Sequence, residues 1–259
     1  METFYKVYAF IFGSMIGSFL NVVILRLPLN GDIVYQSSHC PKCMNKLKVY
    51  HNIPILSFLF LRGKCAFCRT RISWRYPLIE TLTGLISLWL LPEVITTDSM
   101  GFFFFNFAIA CVFICHFFID LDHHLLLDKL NIYLLILILP YVFFYHDWLT
   151  SLIGAAIGFG GPLLVTWLFY KIRGQVGLGG GDIKLFGILG LLLGPTGVML
   201  NIFLSCFIGA IVGLVFIALQ KMHKDKPMPF GPFIILVASL QIFFPEQALA
   251  LQRLMFSMA

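Results

Sequence analysis

Charged side chains are scarce in this sequence. Only 12% of the 259 residues are Asp, Glu, Lys or Arg, whereas 59% are hydrophobic and the mean hydropathy is +0.92. A soluble globular chain carries about 25% charged residues, so this composition cannot cover the surface of a water-exposed globule. Disorder is also excluded, because disordered chains combine low hydrophobicity with high charge. The composition indicates a protein that crosses a membrane several times.

Apolar stretches of about 20 residues, the length that a membrane helix needs, recur along the chain. No small-residue cleavage site follows the first stretch, Tyr8–Leu25, so we expect it to be retained rather than removed as a signal peptide. Residues 185–219 carry no charge, and the turn signal Gly194-Pro-Thr-Gly197 predicts that they form two spans, the first beginning near Gly181. The other predicted spans are 77–95, 101–119, 126–145, 148–170 and 227–245.

The basic residues are sorted between alternate connections. Residues 26–75, 129, 171–184 and 221–226 contain 16 of the 18 Lys and Arg residues. Positively charged short loops stay in the cytoplasm, so the pattern predicts an all-α polytopic membrane protein of about eight transmembrane helices with its N-terminus outside. An unbroken 185–219 helix would instead place Lys221, Lys224 and Lys226 outside. The excess of 18 cations over 12 acids is too small to indicate a nucleic-acid partner.

We divide the chain into three parts on this basis. Residues 1–28 are the first transmembrane helix, residues 29–76 are a small polar cytoplasmic loop between spans 1 and 2, and residues 77–259 are a seven-helix membrane core.

The polar loop contains four of the seven cysteines, in two CxxC pairs with 21 residues between them. Cys40, Cys43, Cys65 and Cys68 at this spacing can surround Zn²⁺ with a tetrahedron of thiolates, which leaves no open position and makes the metal structural. Two disulfides or four unrelated thiols are the alternatives. A reducing cytoplasm argues against the disulfides.

Two groups of carboxylates fall at the cytoplasmic ends of predicted spans, where an ionisable group is a functional hypothesis. Asp120, Asp122 and Asp128 follow the third span, and Asp182 opens the sixth after a run of glycines. Two facing carboxylates can share one proton and hydrolyse a peptide bond. Gly179 and Gly181 would let an extended substrate strand approach Asp182. The alternatives are that Asp182 caps its helix, that the other carboxylates are solvated boundary residues, or that the group carries ions or protons.

The motifs around these carboxylates resemble those of type IV prepilin leader peptidases. Gly177–Leu185 is similar to the family signature that contains the GxGD sequence of membrane aspartic proteases, and Phe118–Asp128 is similar to its other aspartate motif, with Leu127 where Pro is usual. Gly17–Pro28, the cysteine loop and Pro229–Pro232 also correspond in order, so the resemblance runs from about residue 14 to about residue 235.

The resemblance implies two reactions at the bacterial inner membrane, with the active site facing the cytoplasm. Asp120 and Asp182 would be the catalytic pair, with Asp122 in support, and would cleave the leader of prepilin or pseudopilin substrates, usually between Gly and Phe. The new N-terminus would then be methylated from S-adenosylmethionine, an activity that the family links to its cysteine loop. The candidate neighbourhood for the methyl donor is Arg62-Gly63-Lys64. A peptidase without methyltransferase activity and a carboxylate-dependent transporter are the alternative functions.

Overall fold

The computed structural model describes residues 2–35, 38–40, 42–175, 177–219 and 228–256, and these residues are helical with no β-strand among them. The chain divides into two compact units, Met1–Cys115 and His116–Ala259. The α-helices are α1 (Glu2–Arg26), α2 (Leu56–Phe60), α3 (Arg75–Leu90), α4 (Thr97–His123), α5 (Asp128–Tyr145), α6 (Trp148–Arg173), α7 (Gly180–Ala218), α8 (Gly231–Phe243) and α9 (Pro245–Phe256).

In the first unit, α1 and α3 lie side by side because small residues face each other. A Cβ atom added to Gly13 would lie 2.6 Å from the Cβ of Ser87, and one added to Gly84 would lie 2.5 Å from the hydroxyl oxygen of Ser14. Small residues allow this close approach of helix backbones in membranes. Helix α3 therefore runs alongside α1, which is long and apolar enough to cross a membrane.

In the second unit, glycines hold α6 and α7 at backbone contact. A Cβ atom on Gly154 of α6 would lie 2.3 Å from the carbonyl oxygen of Gly190, and one on Gly158 would lie 2.3 Å from that of Phe186. Neither carbonyl can move away without disturbing its own helix. The α6–α7 packing therefore requires glycine at both positions of α6.

Helix α7 folds back on itself at Gly194, whose φ of 68° and ψ of −177° are not helical. The Phe186 and Phe230 rings have their centroids 6.3 Å apart, and a Cβ atom on Gly209 would also lie 3.3 Å from the Phe230 ring. In a straight helix, residues 186 and 209 would be about 35 Å apart. The predicted break in residues 185–219 is confirmed.

Among the described residues, five helices are long and apolar enough to cross a membrane, and α8 with α9 forms a sixth candidate bent by 105°. Helix α3 has only 16 residues and ends before the predicted boundary at residue 95, because Leu91 precedes a proline and takes an extended conformation. Helix α8 has 13 residues and likewise ends before Pro245. Eight spans stay a prediction. Lys221, Lys224, Lys226 and the start of the predicted span 227–245 lie outside the described residues.

The glycine contact between α6 and α7 generates a stability prediction. Gly154→Ala should lower the free energy of unfolding by about 1–3 kcal/mol, because the methyl group collides with backbone. Gly161→Ala on the same helix is the control, since a Cβ atom there meets nothing within 4 Å. Thermal unfolding of both variants in detergent measures the difference, and equal midpoints would contradict the packing described.

Candidate active site and metal centre

Asp120 is a buried carboxylate near the C-terminal end of α4. Its side chain is 4% exposed, so the structure does not support a solvated boundary residue. Its Oδ2 atom accepts a hydrogen bond of 2.8 Å from the backbone N–H of Gly231, the first residue of α8. A helix N-terminus favours a negative charge, so α8 supplies both a donor and a favourable dipole.

Gly231 is a part of this site that the sequence analysis did not assign. A Cβ atom at this position would lie 2.8 Å from Oδ2 of Asp120 and 2.9 Å from the Leu126 side chain. Only glycine therefore leaves the carboxylate in place. The one signal in the sequence was that Gly231 falls within Pro229–Pro232, a segment that corresponds to the leader peptidase motifs.

Asp182 lies in the first turn of α7 and is partly exposed. Its carboxylate turns back over the start of the helix, towards the backbone of Gly179. The carboxylate oxygen Oδ2 would be 2.7 Å from a Cβ atom on Gly179. Asp182 therefore lies at the start of its helix, as the capping alternative also expected, and it remains partly accessible.

The turn between α4 and α5 brings the two carboxylates together. Leu126 in this turn contacts Gly231 through its side chain, and its carbonyl oxygen would be 2.6 Å from a Cβ atom on Gly181. Asp120 and Asp182 are close enough for a direct electrostatic interaction. The end of α4 and the starts of α7 and α8 thus meet at one edge of the second unit.

Polar side chains hold the glycine segment before Asp182 in position. The amide of Asn131, a buried residue of α5, donates a hydrogen bond of 3.3 Å to the carbonyl oxygen of Gly181. His116, which is fully buried one turn before Asp120, lies beside the same Asn131 side chain. Lys184 binds both carboxylate oxygens of Asp128, at 2.7 and 2.8 Å. These contacts join residues far apart in sequence, and sequence reasoning did not predict them.

The remaining predicted support residue, Asp122, is exposed, unlike Asp120 two positions earlier. A cavity of about 420 Å³ lies among α5, α6 and α7, and neither Asp120 nor Asp182 lines it. Its wall includes Ile132, Phe159 and Leu191, and the Asp128–Lys184 pair lines its polar part. The cavity therefore contacts the Asp128–Lys184 pair rather than the two carboxylates.

In the first unit, the four cysteines of the two CxxC pairs come together. The Sγ atoms of Cys40, Cys43, Cys65 and Cys68 all lie within 4.8 Å of one another, and those of Cys40 and Cys68 are 3.8 Å apart. A tetrahedron with zinc–sulfur bonds of about 2.3 Å has sulfur–sulfur edges of about 3.8 Å. The cluster therefore fits a tetrahedral metal ion, and all four cysteines are free thiols rather than disulfides.

The two CxxC turns have the same backbone. The N–H of Cys40 donates to the carbonyl oxygen of Asn45, and the N–H of Cys65 donates to that of Thr70. Each turn is closed by an isolated β-bridge, between His39 and Lys46 in the first and between Lys64 and Arg71 in the second. Both pairs of sulfurs are thus presented by equivalent loops.

Hydrogen bonds favour the thiolate forms that a metal requires. The side-chain hydroxyl and backbone amide of Thr70 lower the pKa of the Cys68 thiol to about 6. The backbone amides of Cys43 and Lys42 lower the pKa of the Cys40 thiol. The pKa values of two of the four thiols are therefore shifted towards the thiolate form, whereas that of Cys43 is raised to about 11.

The fold and these two sites define a helical membrane protein with an interacting carboxylate pair and a separate four-thiol loop. Residues 11–94 match the family described as Bacterial Peptidase A24 N-terminal domain, and residues 107–214 match the Type IV leader peptidase family. The chain belongs to this leader peptidase family, which confirms the resemblance of its motifs.

The curated relatives of the chain are named prepilin leader peptidase/N-methyltransferase. The protein of Stutzerimonas stutzeri is 33% identical, with 93% of this chain and 91% of the relative covered. The protein of Dichelobacter nodosus is 35% identical, with 92% and 91% covered, and that of Pseudomonas aeruginosa is 31% identical, with 91% and 89% covered. No solved structure matches the chain significantly.

Proposed function

We propose that this chain cleaves the leader peptides of prepilin-like proteins and methylates the amino termini that cleavage exposes. The family to which it belongs and relatives that cover nine-tenths of the chain support both activities. The main structural support for the peptidase activity is the interaction of Asp120 with Asp182 where α4, α7 and α8 meet. The bond cut is the Gly–Phe bond at which this family usually cleaves.

In the peptidase reaction, the two carboxylates act as one acid–base unit that shares a proton. The ionised member takes a proton from water as the water oxygen attacks the peptide carbonyl carbon. The protonated member donates a hydrogen bond to the carbonyl oxygen, and a proton then passes to the leaving nitrogen as the C–N bond breaks. The Gly231 amide orients Asp120, and Asp182 lies against the backbone of Gly179 at the start of α7.

The glycine segment before Asp182 gives the substrate room to approach. Gly180 has no atom within 4 Å of a Cβ position, so its outer side is open, whereas the carbonyl of Gly181 is held by Asn131. An extended substrate strand can therefore lie along a segment whose position is fixed. Asp122, the other support residue proposed, is exposed two positions after Asp120.

In the methylation reaction, the new amino terminus must lose its proton before its nitrogen attacks the methyl carbon of S-adenosylmethionine. The carbon–sulfur bond breaks, its electron pair stays on sulfur, and the products are the N-methylated protein and S-adenosylhomocysteine. The neighbourhood predicted for the donor, Arg62-Gly63-Lys64, lines a cavity in the first unit, and none of its lining residues is acidic.

We assign a structural zinc ion to the four cysteines, because their spacing and free thiols fit a closed tetrahedral site. The metal would join the two CxxC turns and stabilise the loop, and it would take no part in hydrolysis. The domain division proposed is a first transmembrane helix at 1–28, this methyltransferase-associated loop at 29–76 and a seven-helix peptidase core at 77–259.

We further propose eight spans in the bacterial inner membrane, with the N-terminus outside and the carboxylate pair facing the cytoplasm. The fold of the second unit supports this count, because Leu126 contacts the starts of both α7 and α8. The chain must then cross the membrane an even number of times between these starts, as it does when α7 folds back at Gly194. The eight spans are then α1, α3, α4, α5, α6, the two halves of α7, and the bent α8–α9 segment.

A transporter function is less well supported. Transporter sites lie near the middle of the membrane between the halves of discontinuous helices. Asp120 is near the end of α4 and Asp182 is in the first turn of α7, whereas the break in α7 is at Gly194. The carboxylate pair is therefore not at the helix break.

Replacing either carboxylate should stop leader cleavage. Asp120→Asn and Asp182→Asn keep the side-chain size but cannot ionise, so we expect the cleavage rate to fall at least about 1,000-fold. Asp98→Asn, at the other end of α4 and exposed, is the control and should retain full activity. The mobility shift of a prepilin on a gel measures cleavage. Full activity in either variant of the pair would refute the assignment.

Gly231→Ala should also impair cleavage, because the added methyl group would displace the carboxylate of Asp120. A misplacement of about 1 Å in a catalytic group can reduce the rate about 100-fold. In Gly213→Ala the added Cβ meets only the Met228 sulfur at 3.6 Å, an ordinary contact, so this variant should be active. Comparable rates in the two variants, with comparable unfolding temperatures, would show that Gly231 does not position Asp120.

Metal analysis tests the zinc assignment. Purified protein should contain about one zinc ion per chain, and the Cys40→Ser/Cys43→Ser variant should contain none, because half of the ligands are gone. Cys206→Ser, which changes an exposed cysteine of α7, should keep its zinc. Wild-type protein purified without chelators and found to contain no zinc would overturn the assignment.

A further inference from the structure

The loop of the first unit contains a cavity of about 470 Å³ that neither the carboxylate pair nor the cysteine cluster uses. Three basic residues, Arg62, Lys64 and Arg71, line it on one side. Phe58 and Trp74 form an aromatic part of the wall, with ring centroids 4.7 Å apart. The cavity thus joins a cationic surface to an apolar one.

The positive charge of the cavity is not neutralised by the protein. All three basic side chains are exposed, and none forms an ion pair with a carboxylate among the described residues. The one acidic residue of the loop at 29–76, Asp32, accepts hydrogen bonds from the amides of Val34 and Tyr35 at 2.8 and 3.0 Å. The cavity therefore favours a ligand with negative charge.

Large apolar side chains in the cavity wall and next to it are exposed. Trp74 is 74% exposed, Leu59 of the cavity wall is 60% exposed and the adjacent Phe60 is 83% exposed. A cluster of large apolar side chains on a polar loop marks an interaction site for a protein or a membrane. Apolar residues beside a basic cluster are the pattern of segments that lie in a membrane interface.

The cavity lies at the level where α3 begins. Trp74 directly precedes α3, which runs alongside the membrane-length helix α1. The backbone N–H of Ile55, just before α2, donates a hydrogen bond of 2.7 Å to the carboxylate of Glu80 on α3, and this bond ties α2 to the same region. Tryptophan is enriched at membrane–water interfaces, so this position corresponds to the depth of the lipid head groups.

These features fit the predicted methyl donor poorly. S-Adenosylmethionine carries one carboxylate but two cationic groups, an ammonium and a sulfonium. A cavity with three cations and no acidic lining residue would repel both. A phosphate diester attached to hydrocarbon chains matches the cations and the apolar mouth together.

We propose that this cavity binds the phosphate group of an anionic phospholipid, with Leu59, Phe60 and Trp74 in the adjoining hydrocarbon. Arg62, Lys64 and Arg71 hold the phosphate. The bound lipid anchors the cysteine loop on the membrane surface. The proposal depends on the membrane position of the first unit and not on either enzymatic activity, so the loss of cleavage or methylation would not bear on it.

Native mass spectrometry of the full-length protein tests the proposal. Delipidated protein in detergent is titrated with phosphatidylglycerol or with phosphatidylcholine, and bound lipids are counted. Wild type should retain phosphatidylglycerol in preference, and Arg62→Gln/Lys64→Gln/Arg71→Gln should bind it about 100-fold more weakly. Lys46→Gln/Lys48→Gln/Arg69→Gln removes the same charge from exposed positions of the loop outside the cavity and should bind as wild type does.

Zinc content and unfolding temperature establish that both triple variants are folded. If the cavity variant fails this check, Arg71→Gln compared with Arg69→Gln repeats the test with one charge. Equal losses in the cavity and control variants, or equal binding of the two lipids, would overturn the proposal. It would also be overturned if inorganic phosphate alone displaced the lipid. Finally, the proposal would be overturned if the cavity variant lost binding of labelled S-adenosylmethionine while still binding phosphatidylglycerol.

Discussion

The hydrogen bond from the Gly231 amide to the buried carboxylate of Asp120 is the interaction on which the second unit depends. A buried carboxylate without a partner is costly, and the Gly231 amide is the donor that the structure gives to Asp120. The start of α8 must therefore reach the end of α4, and position 231 must be glycine. Helix α7 begins at the same edge of the second unit. The chain must therefore turn back within α7 before α8 can begin there. The fold-back at Gly194 and the glycine contacts between α6 and α7 meet that requirement.

In both units, backbone groups in fixed positions hold a small cluster of polar side chains in place. In the second unit, the backbone amide of Gly231 holds the buried carboxylate of Asp120. In the first unit, two equivalent CxxC turns hold four thiols at distances suited to a metal. Low overall charge makes each of these polar clusters stand apart from its surroundings. It also leaves Arg62, Lys64 and Arg71, which have no carboxylate partner among the described residues, available for an anionic ligand.

The sequence predicted those features that depend on local patterns. Apolar length predicted the helices and the Gly194-Pro195 pair predicted the break in α7, whereas the catalytic pairing of Asp120 with Asp182 stays a prediction from their motifs. Hydropathy predicted that helix α3 would run to residue 95, which is too long. The proline after Leu91 could have predicted the earlier end. The contacts of Gly231 and Asn131 could not be predicted, because their partners lie 111 and 50 residues away and depend on tertiary packing.

The central claim is that this chain cleaves a prepilin leader and methylates the new amino terminus. Incubating the purified protein with a prepilin and isotopically labelled S-adenosylmethionine, and then measuring the mass of the product N-terminus, tests it most directly. We predict a chain that begins immediately after the leader and carries one labelled methyl group on its terminal nitrogen. An intact leader, or cleavage at another bond, would contradict the account.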